Sequence, residues 1–286
     1  MAGHDTTVRR GLFHLQALIM LLIMALCAGG CRRLTEGSGG RDRQLRADQP
    51  ATVDQVIEAY QARLAVVQTT WEHRTGRLGR WDSYGTEGTG LVVSSDGRSA
   101  LVLVSRHVVD PHYGASDSPP TRNVVFRVRV GPPASGNPWT EGRLAAVYIH
   151  DVDLALVRIP SPGPKPFEVP LGESTSLHLG DEVLVVGHPT WQGLIRARGA
   201  VNGFQDHPEL GISTLRVDVT EGPSTTAGLV FAGRGGRLVG VIRAQADVPE
   251  PQTGDLFVIS TDMLRKREFW RYLLNETETR RLLARL

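Results

Sequence analysis

From residue 65 onward the chain is a succession of short runs rich in β-branched and aliphatic residues: AVVQTTWEH, GLVVSS, ALVLVS, NVVFRVRV, RLAAVYI, LALVRI, EVLVVG, TLRVDV, GLVFAG, RLVGVIRA and LFVIS. Between many of them stand clusters of Gly, Pro, Asp and Ser, as in SSDGRS, DPHYGASDSPPT, VGPPASGNPW, PSPGPKP and AGRGGR. Runs of this length and make-up read as strands, and the clusters as turns. Almost no helical pattern separates successive runs, so alternating βαβ units are excluded and an all-β fold is expected, an antiparallel barrel or a sandwich. The Gly- and Arg-bearing segment TGRLGRWDSYGTEG, between the first two runs, reads as a connection flanking strands.

Two helices bracket this region. Val53, Val56, Ile57, Tyr60 and Leu64 recur at helical spacing behind Thr52, a suitable N-cap. Near the other end, in TDMLRKREFWRYLL, Met263, Leu264, Phe269, Leu273 and their neighbours suit a helix packed on the β fold, and a helical tail is expected over residues 275–286.

The first thirty residues stand apart. A basic region ending in Arg9 and Arg10 precedes the apolar run GLFHLQALIMLLIMALCAGG, which closes on small residues beside Cys31. This is the pattern of a signal peptide. The sequence LCAGGC resembles a bacterial lipobox, which implies lipidation of Cys31 and export to a bacterial membrane surface, facing the periplasm or the exterior. An ordinary secretory signal or an uncleaved anchor are the alternatives. Cys27 and Cys31 are the chain's two cysteines, so the expected mature domain has no disulfide and rests on its apolar core. The expected organisation is therefore a lipoprotein signal peptide over 1–30, a polar flexible tether over 31–52, a folded domain over 53–274 and the tail.

The net charge is +2, and the arginines are scattered among acids, which argues against a nucleic-acid surface. No phosphate loop, dinucleotide fingerprint or zinc-ligand spacing is present, so neither a cofactor nor a metal is expected. His112, His150, His178, His188 and His207 read as surface or structural residues, and Gly193, Gly235 and Gly236 as turn glycines with positive φ.

Three segments stand in a suggestive order. GTGLVVSSDGRSALVLVSRHVVD sets His107 just after a strand, HDVDLALVRIP sets Asp153 at the start of another, and EGPSTTAG follows. Taken singly, a histidine after a strand and a DLAL strand are ordinary features. Together they resemble the chymotrypsin-fold serine proteases, most closely the HtrA type without a PDZ domain. LGESTSLHLGDEVLVVGHPTW and GRLVGVIRA are similar to further segments of that family. The resemblance implies two six-stranded antiparallel β-barrels of trypsin-like type, with His107 and Asp153 as members of a catalytic triad. Asp151 lies too far from the Leu-Ala-Leu strand to fit the motif as well. The resemblance also implies that the backbone of Gly240, Val241, Ile242 and Arg243 pairs with an extended peptide.

At the nucleophile the chain departs from the family. Aligning Gly228, Leu229 and Val230 puts Thr226 in place of the serine, with Ser224 and Ala227 replacing two glycines. Ser224 and Thr226 would then supply the oxyanion-hole N–H groups. Threonine's extra methyl restricts χ1 beside the histidine. Threonine nucleophiles elsewhere are typically N-terminal, their own amine acting as base. A second register makes Ser224 the nucleophile but puts Thr225 and Thr226 where glycines belong. The expected function is a membrane-anchored protease homologue, catalytically impaired, that binds an extended peptide or partner protein. The alternative is an active endopeptidase using Thr226 or Ser224 with His107 and Asp153.

Overall fold

The computed structural model describes residues 49–266, apart from 77–78, 114–118, 132–135, 148–151, 164–170, 188–193, 208–211, 222–226 and 244–254. Its first helix, α1 (Val53–Tyr60), is opened by a capping box. Thr52 Oγ1 accepts the Gln55 N–H at 3.2 Å, and Gln55 Oε1 accepts the Thr52 N–H at 2.8 Å. Val53, Val56, Ile57 and Tyr60 are buried at the spacing expected of one helical face. The Tyr60 ring meets Phe231 edge-on at 4.8 Å, and its hydroxyl accepts the Leu238 N–H. Leu64, grouped with this helix by its spacing, instead opens the first strand.

Twelve strands follow. The first six are β1 (Leu64–Thr75), β2 (Arg80–Ser95), β3 (Ser99–Val104), β4 (Thr121–Val130), β5 (Thr140–Val147) and β6 (Ala155–Pro160). They close into an antiparallel barrel in the order β1-β2-β3-β6-β5-β4, with β4 returning to β1. The next six are β7 (Glu182–Gly187), β8 (Ile195–His207), β9 (Ile212–Glu221), β10 (Gly228–Ala232), β11 (Leu238–Arg243) and β12 (Asp255–Ser260). They close as β10-β11-β12-β9-β8-β7, with β7 pairing β10. The expected pair of six-stranded barrels is therefore observed.

Strand alternation divides the core into three parts. Val92, Val102 and Val157 fill the first barrel, and Val185, Val217 and Val258 the second. The intervening positions Leu91, Leu103, Leu154, Leu184, Leu229 and Phe231 gather in a third cluster, drawn from both barrels, along their seam. Burying a Leu or Phe side chain is worth about 1.5–3 kcal/mol, which makes this seam a strong adhesive between two valine-filled units.

Three readings of the sequence change. The segment read as a connection between the first two runs is largely strand: Arg80–Gly88 pairs residue for residue with β1 and builds a long hairpin arm, backed by β4 as far as His73, whose turn carries Gly76 and Gly79 at positive φ. Its glycines and charges suit an arm that is exposed or half-buried along most of its length. Strand β8 was not anticipated, although Ile195, Ala197 and Val201 are buried at even spacing along it; small and charged residues between them mask the pattern. The apolar segment after β12 begins as a 3-10 turn, Thr261–Arg265, that buries Met263 and Leu264. The remainder of the expected C-terminal helix lies outside the described residues, as does the tail.

The expected tether also ends earlier than its boundary at residue 52. The Ala51 N–H donates to Gly233 O at 2.7 Å, and the Gly235 N–H donates to Gln49 O at 2.8 Å. Residues 49–51 thus form a strap on the β10–β11 turn, where Gly235 and Gly236 take the expected positive φ. Gly193 lies outside the described residues. Among the described residues no helix is long and apolar enough to cross a membrane.

Candidate active site

Strand β3 leads through Ser105 into a single helical turn, α2 (Arg106–Val109), which carries His107. The Asp110 N–H closes the turn on Arg106 O, and the Arg106 guanidinium meets the Asp110 carboxylate at 2.8 Å. Thr86 of β2 donates its hydroxyl to Val108 O at 2.7 Å, which fastens the turn to the neighbouring strand. Gly88, two residues on, allows the approach: a Cβ there would lie 2.5 Å from Val108 Cγ2 and 3.2 Å from Ala227 Cβ.

Asp153 stands at the entry to β6 and is wholly buried. One carboxylate oxygen accepts the His107 main-chain N–H at 2.8 Å, and the other lies 2.7 Å from His107 Nδ1. The imidazole itself remains 19% exposed. A carboxylate held against Nδ1 favours the tautomer with its proton there, which leaves Nε2 as the ring's basic atom. Such a pair can take a proton from a hydroxyl and stabilise the imidazolium that results. Asp151, the other candidate acid, lies outside the described residues.

The second barrel reaches this turn through β11. The hydroxyl of Ser105, itself fully buried, donates to Ile242 O at 2.7 Å. On one side β11 pairs with β12 through Arg243, opposite Phe257. On the other, its register with β10 ends at Val241, opposite Leu229. Ile242 stands opposite Gly228, the first residue of β10, and Arg243 runs one residue beyond it. Of the four residues expected to line an extended peptide, Gly240 is a packing glycine, since a Cβ there would lie 2.1 Å from Val258 Cγ1. Val241 and Ile242 are buried in two different parts of the core, and only the Arg243 side chain is partly accessible.

Thr226 and Ser224 lie outside the described residues; the segment is bounded by Glu221 and Ala227. Glu221 ends β9, exposed, 3.9 Å from Arg198 Nε. Ala227 is buried and packs with the first barrel's core beside Val108. Gly228 opens β10 where a Cβ would lie 2.7 Å from Val186 O, so glycine is required at that position.

Sequence reasoning missed the two hydroxyls, Thr86 and Ser105, because a side-chain bond to a distant carbonyl leaves no periodic trace. It also missed a ring cluster on the β1–β2 arm. His73 lies 5.2 Å from Tyr84 and 5.9 Å from His112, ring to ring, and its Nδ1 is 2.8 Å from the Thr121 hydroxyl. Burial, with a smaller contribution from His112, holds its pKa below the ordinary value of 6.5. His178 is exposed beside Asp181, and His207 contacts the Thr214 hydroxyl. His150 and His188 lie outside the described residues. Among the described residues no group of three His, Cys, Asp or Glu side chains is placed to hold a metal ion.

The family described as the trypsin-like peptidase domain matches residues 88–241, more than half of the chain. This chain belongs to the trypsin-like peptidase family. A relative of this trypsin-like peptidase homologue, the serine protease HtrA-like protein of Staphylococcus aureus strain MRSA252, is 23% identical over 206 residues, 68% of this chain and 24% of that protein. The corresponding protein of strain USA300 is 23% identical over 175 residues, covering 57% of this chain and 20% of its own length. The homologue thus spans about a quarter or less of the curated relatives it matches. A solved structure of the HtrA-type protease AlgW with decapeptide superposes with a TM-score of 0.51 at 17% identity, over 74% of this chain and 65% of that one. That likeness concerns the fold.

Proposed function

We propose that this trypsin-like peptidase homologue is lipid-anchored through Cys31 to a bacterial membrane, is catalytically impaired, and uses its cleft to hold an extended peptide or a partner protein. The observation that carries the reading is the register around Gly228, a position where β10 tolerates only glycine. Counting back from it, Thr226 takes the nucleophile's place, and Ala227, where the family has glycine, fills its site with a buried methyl. A hindered secondary hydroxyl is a poor substitute beside the imidazole, and a side chain at Ser224, where the family has glycine, disfavours the inward-turned N–H of the oxyanion hole, a donor worth about 2.7–4 kcal/mol of transition-state stabilisation. Peptide binding survives such losses, because strand addition depends on main-chain groups. The overhang of Arg243 beyond β10 supports that mode.

The test is labelling of the full chain with a fluorophosphonate. The wild-type protein stays unlabelled, while Thr226→Ser combined with Ser224→Gly and Ala227→Gly becomes labelled. Done on fractionated cells, the same experiment finds the wild-type chain with the membranes and Cys31→Ser in the soluble fraction. Strong wild-type labelling that is lost in His107→Ala overturns the impaired reading in favour of an endopeptidase using Thr226 or Ser224. The paired His107 and Asp153 are the observation that favours this second reading.

A further inference from the structure

Arg243 is the one residue of the expected peptide-pairing strand whose side chain is neither glycine nor sealed in the core. Its direction follows from the register. Val241 and Ile259 are opposite one another on β11 and β12, and both belong to the seam between the barrels. Arg243 and Phe257 are opposite one another two residues further along, so they stand on the same face. Arg243 stands one residue beyond the Ile242 carbonyl held by Ser105, which directly precedes the turn bearing His107.

The guanidinium is incompletely satisfied. Its Nε is buried without a hydrogen-bond partner. The Phe257 ring, with its centroid 5.7 Å from Arg243 Cζ, is a weak stabiliser of the cation and accepts none of its hydrogen bonds. Among the described residues no carboxylate pairs with it. A permanently charged fork with a shielded, unsatisfied donor is matched by one chemical group above others, a carboxylate that accepts two parallel N–H bonds.

We propose that Arg243 is the specificity determinant of the cleft and selects peptides that bring a carboxylate to it. This inference rests on the cleft reading above and adds the class of ligand. The carboxylate comes from a Glu or Asp side chain flanking the segment that pairs with β11, or from a peptide's own C-terminus. Either source presents the same planar pair of oxygens. The main chain of β11 supplies affinity common to all extended peptides, and Arg243 divides acidic from neutral ones.

The experiment uses the full chain in detergent and fluorescein-labelled decapeptides. One series is amidated, with a single Glu or Gln moved through each position; a second is neutral and differs only in a free or amidated C-terminus. The expected result is roughly 10- to 100-fold tighter binding of one carboxylate peptide over its neutral twin, the range of a charge-assisted hydrogen bond. Arg243→Gln abolishes that preference, so that each carboxylate peptide binds no tighter than its neutral twin, while Arg243→Glu shifts it toward the matching Lys peptide. Preference within the amidated series assigns the site to a side chain, and preference within the second series to a chain end. Equal binding of carboxylate and neutral peptides, or an acid preference that persists in Arg243→Gln, overturns the inference and leaves the peptide-binding cleft standing. Failure of every peptide to bind overturns both.

Discussion

On the first barrel's side of the cleft, His107 is held by its ring, its main chain and the two ends of its own helical turn. Asp153 is fully buried beneath it, with both carboxylate oxygens engaged. On the second barrel's side, in the register proposed above, Ser224 and Ala227 stand where the family has glycines and Thr226 where it has serine. The contrast separates two reasons for keeping a catalytic residue. Asp153 accepts a main-chain N–H as well as facing an imidazole, which gives it a structural role independent of any bond cleavage. A nucleophile has no such second employment. It can be lost without loosening the barrel, and the half of a triad that also supports the backbone is the half expected to outlast the chemistry.

The largest effect that bears on this contrast is expected from Asp153→Ala. It strips a buried main-chain N–H and the histidine ring of their acceptor, and should lower unfolding stability in urea by about 3 kcal/mol. Asp153→Asn, which keeps one accepting oxygen, should lose less. If Asp153→Ala unfolds at the same denaturant concentration as wild type, the residue has no structural role, and its presence argues for a working protease. Ser105→Ala comes next. The Ile242 carbonyl would lose a donor from the opposite barrel, a change of about 1–2 kcal/mol. A smaller loss would mean that the leucine-lined seam alone holds the barrels, and that β11 is free to shift when a peptide pairs with it.

The smallest effect concerns His73, on the arm away from β11. Its pKa is depressed in the folded state, so below about pH 6.5 the unfolded chain takes up a proton before the folded one does. Stability should therefore decline as pH falls from 7 through 6, and His73→Phe should flatten that slope. An unchanged slope in the variant would assign the pH dependence to other groups. A matching change in peptide affinity would tie the arm to the cleft.

Much of this arrangement is legible in the sequence. The His-Val-Val turn and the Asp-Leu-Ala-Leu strand identified two residues 46 positions apart that the fold brings within 2.7 Å. Thr52 was recognisable as a cap because its partner Gln55 is local in sequence. What escaped notice was non-local or disguised. The even spacing of buried residues in β8 is broken by arginines and glycines, and the second half of the β1–β2 arm resembles a loop because most of its residues are exposed or half-buried. Ser105 bonds to a carbonyl 137 positions away, a separation no local pattern can encode. The residues that decide between the two functional readings, 222–226, lie outside the described part of the chain, so their case is made by sequence and by the neighbours Ala227 and Gly228.

The strap at Gln49–Ala51 has a mechanical meaning. Any load carried by the preceding residues enters the second barrel at the hairpin tip formed by Gly233 and Gly235, through two main-chain bonds. The strand that leaves this tip is β11, which ends at Arg243. The strap and Arg243 thus stand at opposite ends of one six-residue strand, so a pull at one end is transmitted along the same backbone to the other.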